Sequence, residues 1–238
     1  MIVYWAVSNA TNMSPVSKAL YSEPSKLTNQ NLFNQITPDQ KQNNFKLCPA
    51  FLDHINNVYK LHFPIDIDIK FTSDDIVSSL DQDLFNYFVN IRDFNQKFFG
   101  FKVNMVFFCE EDLEMELTPP YLEGNEFATN VTSVPGKFNI GKWFRPIDYA
   151  CFLNKGKQSI NAKHNDVFNY VKFNTDKEIE FKQFDYVNEI ENIQKDVLRS
   201  KMILGNASPR LDYYYKLLQH SRYKKKIIKL IKENILEE

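Results

Sequence analysis

Glycine is the scarcest resource of this chain, with 6 among 238 residues. Gly-rich phosphate loops, nucleophile elbows and kinase signatures all need glycines at fixed offsets, so that backbone can turn sharply or approach a phosphate. None of these motifs is present. Cysteine is also scarce. Cys48, Cys109 and Cys151 are odd in number, far apart and in no CxxC or Cys/His spacing. They read as reduced thiols of a cytosol-like compartment rather than a disulfide framework or zinc site. No run reaches the ~18 apolar residues of a membrane span, and Met1–Val7 carries no basic leader. The expectation is neither membrane insertion nor secretion, so the Asn-x-Ser/Thr triplets at Asn9, Asn130 and Asn206 carry no glycosylation meaning. The net charge of −1 gives no global footprint for nucleic acid, whose binding domains are usually clearly basic.

Phenylalanine is abundant, at 21 residues in a 28.1 kDa chain. That is enough apolar material for one large domain, or a domain with an appendage, needing neither disulfides nor a structural metal. Charge is unevenly spread. Residues 210–238 hold eight Lys/Arg against four acids, while 109–126 hold seven acids and no Lys or Arg.

Met1–Val7 reads as a strand buried on both faces. Residues 8–44 turn to Asn, Gln, Ser, Thr and Pro with scattered hydrophobes, and read as an irregular surface wrap. Ile65, Ile67, Ile69 and Phe71 alternate with Asp66, Asp68 and Lys70, the pattern of a half-buried strand. A loop-rich stretch is expected over 84–99. Phe101–Phe107 resumes the alternation, and Leu113, Met115 and Leu117 alternate with Glu114 and Glu116, suggesting neighbouring antiparallel strands. Ile147–Leu153 and Val167–Phe173 read as strands joined by a hairpin-type connection with a turn at Asn154–Gly156, and Glu178–Phe184 as the last strand.

From Asp185 the period changes to helical, carried by Val187, Ile190, Ile193, Val197 and Leu204, with Gly205-Asn206 as a stop. Ser208-Pro209 starts a second helix whose face runs Tyr214, Leu217, Ser221, Lys224, Ile228, Ile231, Ile235, with a break near His220–Tyr223. Strands followed by a helix pair predict a mainly β, α+β fold. The expected form is an antiparallel β-sandwich, jelly-roll or cupin-like barrel over 1–184, with a C-terminal helical hairpin over 185–238 packed on it.

The most distinctive stretch is 113–146. Thr118-Pro119-Pro120 must leave its sheet, because two successive residues lack an N–H donor. Trp143-Phe144-Arg145-Pro146 sets two aromatics and a cation before another proline. Arg145 can stack on the indole or fork onto a carboxylate, for which Glu114 and Glu116 are candidates. Cys48-Pro-Ala50, Glu114-x-Glu-x-x-Pro-Pro120, Gly136–Pro146 and Phe168-x-Tyr-Val-Lys-Phe173 resemble a group of proteins of T4-like phages of marine bacteria. They are distantly similar to a bacterial family of unknown function. The resemblance spans roughly residues 45–185 and implies a cupin-like or β-clip-like domain in the cytoplasm of an infected bacterial host or in the virion. It breaks at Lys163-His-Asn-Asp166, where that family commonly has Ala-Gly-Glu/Asp-Pro.

The leading expectation is a non-enzymatic binding protein without a cofactor, acting on a host or virion protein or a small ligand. Its contact surface is expected to comprise Glu116, Thr118, Pro119, Pro120, Tyr121, Trp143 and Arg145, aromatic and cationic anchors of the kind enriched at hot spots. In the competing reading Trp143 is core and Arg145 a buried ion-pair partner. Other chemistries are weighed against plain structural roles. His164-x-Asp166 with His220 and Arg222 imitates the Fe(II) facial triad of cupin-fold oxygenases, or is a polar hairpin turn. His62 with Asp66 and Asp68 is a ligand group or a hydrogen-bonded edge residue. The acids at 110–116 hold a general acid/base pair or form a solvated face. Cys48 is a nucleophile or a buried thiol. Lys224–Lys226 touch phosphates or an anionic surface, or merely solubilise a helix, and nucleic acid is not the expected partner.

Overall fold

The structure is a computed structural model that describes residues 1–8, 20–28, 48–204, 218 and 222–236, apart from the side chains of 197–204. Four sheets are arranged around one core. The first is β15-β1-β8, formed by β1 (Ile2–Val7), β8 (Met105–Phe108) and β15 (Glu180–Gln183). The second runs β10-β12-β7-β6, from β6 (Val89–Asp93), β7 (Phe98–Lys102), β10 (Val131–Ser133) and β12 (Asp148–Leu153). The third and largest is β11-β9-β14-β3-β2, from β2 (Ser25–Lys26), β3 (Val58–His62), β9 (Glu114–Thr118), β11 (Gly136–Asn139) and β14 (Val167–Phe173). The fourth is β13-β4-β5, from β4 (Ile67–Phe71), β5 (Ile76–Ser78) and β13 (Ser159–Ala162). Pairing is antiparallel except for β1 with β15, which is parallel. The described helices are α1 (Pro49–Ile55), α2 (Gln82–Phe88), α3 (Glu126–Asn130), α4 (Asn188–Leu204) and α5 (Tyr223–Glu233). The mainly β, α+β class is thus as expected.

The two faces of β1 explain how the chain is layered. Val3, Trp5 and Val7 enter the main core with Phe63, Phe101, Phe107 and Phe168, while Tyr4 and Ala6 join Val106 and Phe108 under the C-terminal helices. There Ile190 and Ile193 of α4 and Ile227 and Ile231 of α5 are buried, and α5 is tied on by a bridge between Phe184 and Ile235. The buried seam of α5 runs through Ile227 and Ile231 with Ile228 at its margin, not through Lys224. The expected caps at Gly205-Asn206 and Ser208-Pro209, the face at Tyr214, Leu217 and Ser221, and most of the 8–44 wrap fall outside the described residues.

Four expectations are corrected. Residues 84–99 are not loop: Asp81 caps α2 by accepting from the Leu84 N–H, and a hairpin of β6 and β7 follows, its turn helped by Lys97 at φ 51°. Phe101–Phe107 is not one strand, because Asn104 at φ 57° redirects the chain and sends 105–108 into another sheet. β9 does not pair with β7 or β8; its neighbours are β11 and β14. Between β12 and β14 there is no simple hairpin, since β13 intervenes and pairs with β4. The alternation of β4 holds, with Ile67, Ile69 and Phe71 buried and Asp68 and Lys70 exposed.

Candidate binding surface around Tyr121

The outer face of the five-stranded sheet carries a polar group under a small satellite cluster of Leu27, Ile55, Val58, Val167 and Tyr170. Lys60 of β3 and Tyr170 of β14 are register partners, so their side chains rise on the same face. β9 ends opposite Tyr170 at Thr118, and Pro119-Pro120 turns the chain off the sheet. Two tight turns follow, Tyr121 N–H to Pro119 O and Glu123 N–H to Pro120 O, both 2.9 Å. They drop Glu123 back onto the sheet. Its Oε1 lies 2.9 Å from Lys60 Nζ, and the side chains are only 9% and 5% exposed. Tyr170 OH donates to that same oxygen at 2.7 Å. Burial, then the Glu123 carboxylate, pushes the Tyr170 phenol far above its ordinary value.

Tyr121 stands above this group. Its ring meets Tyr170 edge-on, with centroids 5.3 Å apart and planes at 89°, and its OH is 2.6 Å from His54 Nε2. Even so, 48% of Tyr121 is exposed. His54 sits in the last turn of α1, whose first turn is set by Pro49 following Cys48. Lys172 Nζ donates to the His54 carbonyl at 3.0 Å, holding the helix end on the sheet. Leu52 of the same helix is 38% exposed. The result is a surface of His54 and Tyr121, stapled from below by a buried ion pair. His62, at the end of β3, has its imidazole pushed below the ordinary value by burial and then by Lys60; its Nε2 is 3.5 Å from Ser25 Oγ.

The sequence-predicted residues fall into two separate groups. Thr118, Pro119, Pro120 and Tyr121 belong to the Tyr121 group. Trp143 stacks on Phe138 at 4.7 Å and 27°, and Arg145 lies over Trp143 at 4.9 Å. Phe138 pairs in register with Met115, which faces the main core, whereas Tyr170 and Thr118 occupy the opposite face at the other end of β9. One contiguous surface is therefore not formed. Glu116 lies between them, bonded by Asn174 Nδ2 at 2.9 Å and paired with Lys137 at 3.5 Å. Glu114 pairs with the same Lys137 at 2.7 Å, so of the two options for Arg145 stacking on the indole is the one realised. Trp143 and Arg145 are both half-buried, between the surface and core alternatives.

The remaining candidates resolve into local structure. Lys163–Asp166 is a tight turn with Asn165 at φ 70°. Its Asp166 accepts from the Lys163 N–H, while the His164 N–H donates to Asp66 and His164 Nδ1 lies 2.9 Å from Pro64 O. His220 lies outside the described residues. Among the described residues no group of three or more His, Cys, Asp or Glu is placed to hold a metal ion. The acidic run is largely ion-paired at the surface: Glu110 with Lys232, Glu111 with Lys177, Asp112 with Lys142. Cys48 is exposed rather than buried, because it precedes the first turn of α1.

Sequence reasoning missed Lys60, Glu123, His54 and Tyr170 as a group. The one available signal was Lys60 itself, a cation inside the otherwise apolar run Val58-Tyr-Lys-Leu. No described helix is long and apolar enough to cross a membrane. Comparison with known proteins gave no matching family model, no matching curated protein and no matching solved structure.

Proposed function

We propose that this chain is a non-catalytic binding protein that engages a partner protein through Tyr121 and His54. The observation that carries the reading is that Tyr121 is half bare yet held on several sides: by His54, by the edge of Tyr170 and by the prolines before it. An aromatic ring immobilised before contact loses little entropy on binding, which is what makes tyrosine an efficient anchor. The buried Lys60–Glu123 pair beneath it serves the same end by fixing the loop. The occupant is a protein with an apolar recess for the Tyr121 ring. The resemblance to phage proteins supports a host or virion protein as that partner.

The test begins with capture on the full-length chain and identification of the bound protein, followed by titration of the purified pair. Tyr121→Ala is expected to weaken binding at least 10-fold with unchanged thermal unfolding, as for a central anchor. Tyr121→Phe should lose less, since the ring remains. Equal affinity of wild type and Tyr121→Ala overturns the reading. Loss confined to Trp143→Ala moves the anchor to the other end of β9.

A further inference from the structure

On α5 and its N-cap residue, six cations (Arg222, Lys224, Lys225, Lys226, Lys229 and Lys232) face a single acid, Glu233. Their geometry separates them by role. Lys232 is used internally, pairing with Glu110 at 2.8 Å, and Lys224 is half-buried with its ammonium 6.0 Å from the Phe108 ring. Arg222, Lys225 and Lys226 are exposed and form no ion pair with a described residue, and Lys229 reaches only its own helix neighbour Glu233, at 3.7 Å. At about 100° per residue, these four fall within about 100° of arc on the side opposite Ile227 and Ile231. Arg222 with Lys226, and Lys225 with Lys229, are one turn apart, about 6 Å along the axis, a separation comparable to that of successive phosphates on a strand. Three basic residues in the first turn also oppose the helix macrodipole, so the arrangement does not serve the stability of the helix.

We infer that this face of α5 binds the phosphate backbone of a nucleic acid. The alternative anionic partner, a membrane surface, needs an apolar helix face to lie in the interface, and here that face is spent: Ile227 and Ile231 are fully buried against the sheet. The chain's net charge of −1 makes the cationic face a local attractor rather than a global one, so binding is oriented and strongly dependent on salt. This surface is distinct from the one around Tyr121.

The test is fluorescence anisotropy of the full chain with a labelled duplex DNA and its single strand, between 50 and 200 mM salt. Four neutralised phosphates predict a log–log slope of about −3 to −4, or about 50- to 150-fold weaker binding across that range. Lys226→Ala should reduce the slope by about one. Lys225→Glu/Lys226→Glu/Lys229→Glu should abolish binding with unchanged thermal unfolding, whereas Lys137→Glu, on the edge strand of another sheet, should leave it intact. Absence of salt-dependent binding, equal binding by the triple variant, or stronger retention on vesicles rich in anionic lipid than on either oligonucleotide overturns the assignment.

Discussion

Lys60 and Glu123 meet at 2.9 Å with almost no exposure of either side chain, and the Tyr170 hydroxyl shares the bonded oxygen. Removing one member leaves the other charge buried without compensation, which costs far more than the pair contributes. Lys60→Met and Glu123→Gln are each expected to destabilise by about 3–5 kcal/mol. The double variant Lys60→Met/Glu123→Gln should lose much less than their sum, because no unpaired charge remains. Tyr170→Phe should cost about 1.5–3 kcal/mol, the scale of a hydrogen bond to a charged group. Denaturant unfolding of the four variants checks this, and additive single-site losses would show that the groups act independently.

Glycine substitutions should separate by what a new methyl meets. A Cβ on Gly141 would stand 2.1 Å from the Glu111 carbonyl oxygen, a backbone atom that cannot swing away. At Gly100 it would meet Asp148 Oδ1 at 2.7 Å and Arg92 Nε at 3.2 Å, the ends of two side chains paired with each other. At Gly124 nothing lies within 4 Å. The expected order of destabilisation on change to Ala is Gly141, then Gly100, then Gly124. Gly141→Ala should exceed about 3 kcal/mol and Gly124→Ala should stay within about 0.5 kcal/mol. Thermal unfolding of the three variants measures the order.

The parts of the fold that were legible in the sequence are those in which one residue's environment is set by its immediate neighbours. Ile67, Ile69 and Phe71 announce their buried face by alternation, and Thr118-Pro119-Pro120 announces the exit from β9 because proline cannot donate. What escaped is set by distant pairing. Asn104 and Lys97 adopt positive φ without being glycine, so the breaks after β7 and between β6 and β7 left no glycine to mark them. Lys60 and Glu123 are brought together by the register of β3 against β14 and by the turns after Pro120. Neither residue carries a local sign of the other, and Glu123 sits in a run whose other acids are mostly exposed.

The thiols offer a check on burial. Cys48 is exposed at the start of α1, whereas Cys109 and Cys151 are buried, and burial pushes both of their thiols above the ordinary value. The thiolate is the reactive form. A thiol-specific reagent should therefore label one cysteine promptly in the native chain and the other two only after unfolding, with Cys48→Ser removing the fast phase. Two or three fast thiols would contradict the burial of Cys109 and Cys151.

The pH dependence of stability should carry a component from His62. Its folded imidazole is pushed below the ordinary value by burial first and by the Lys60 ammonium second, with Glu123 acting the other way. The unfolded chain, with an ordinary histidine near pH 6.5, therefore binds the proton more readily than the folded one. Stability rises with pH wherever the unfolded state holds more protons, so this contribution is fully present above the unfolded value. It is lost progressively as pH falls through about 6.5 and levels off once the folded imidazole also protonates. Carboxylates enter lower: Glu110, held down by the Lys232 hydrogen bond and then by that from Tyr4, withdraws its support only as pH drops through the carboxylate range. Unfolding measured between pH 7.5 and 5 for the wild type and for His62→Gln should give curves that diverge at the high end and converge as the pH falls. Parallel curves would mean that His62 titrates alike in both states, against its burial near Lys60.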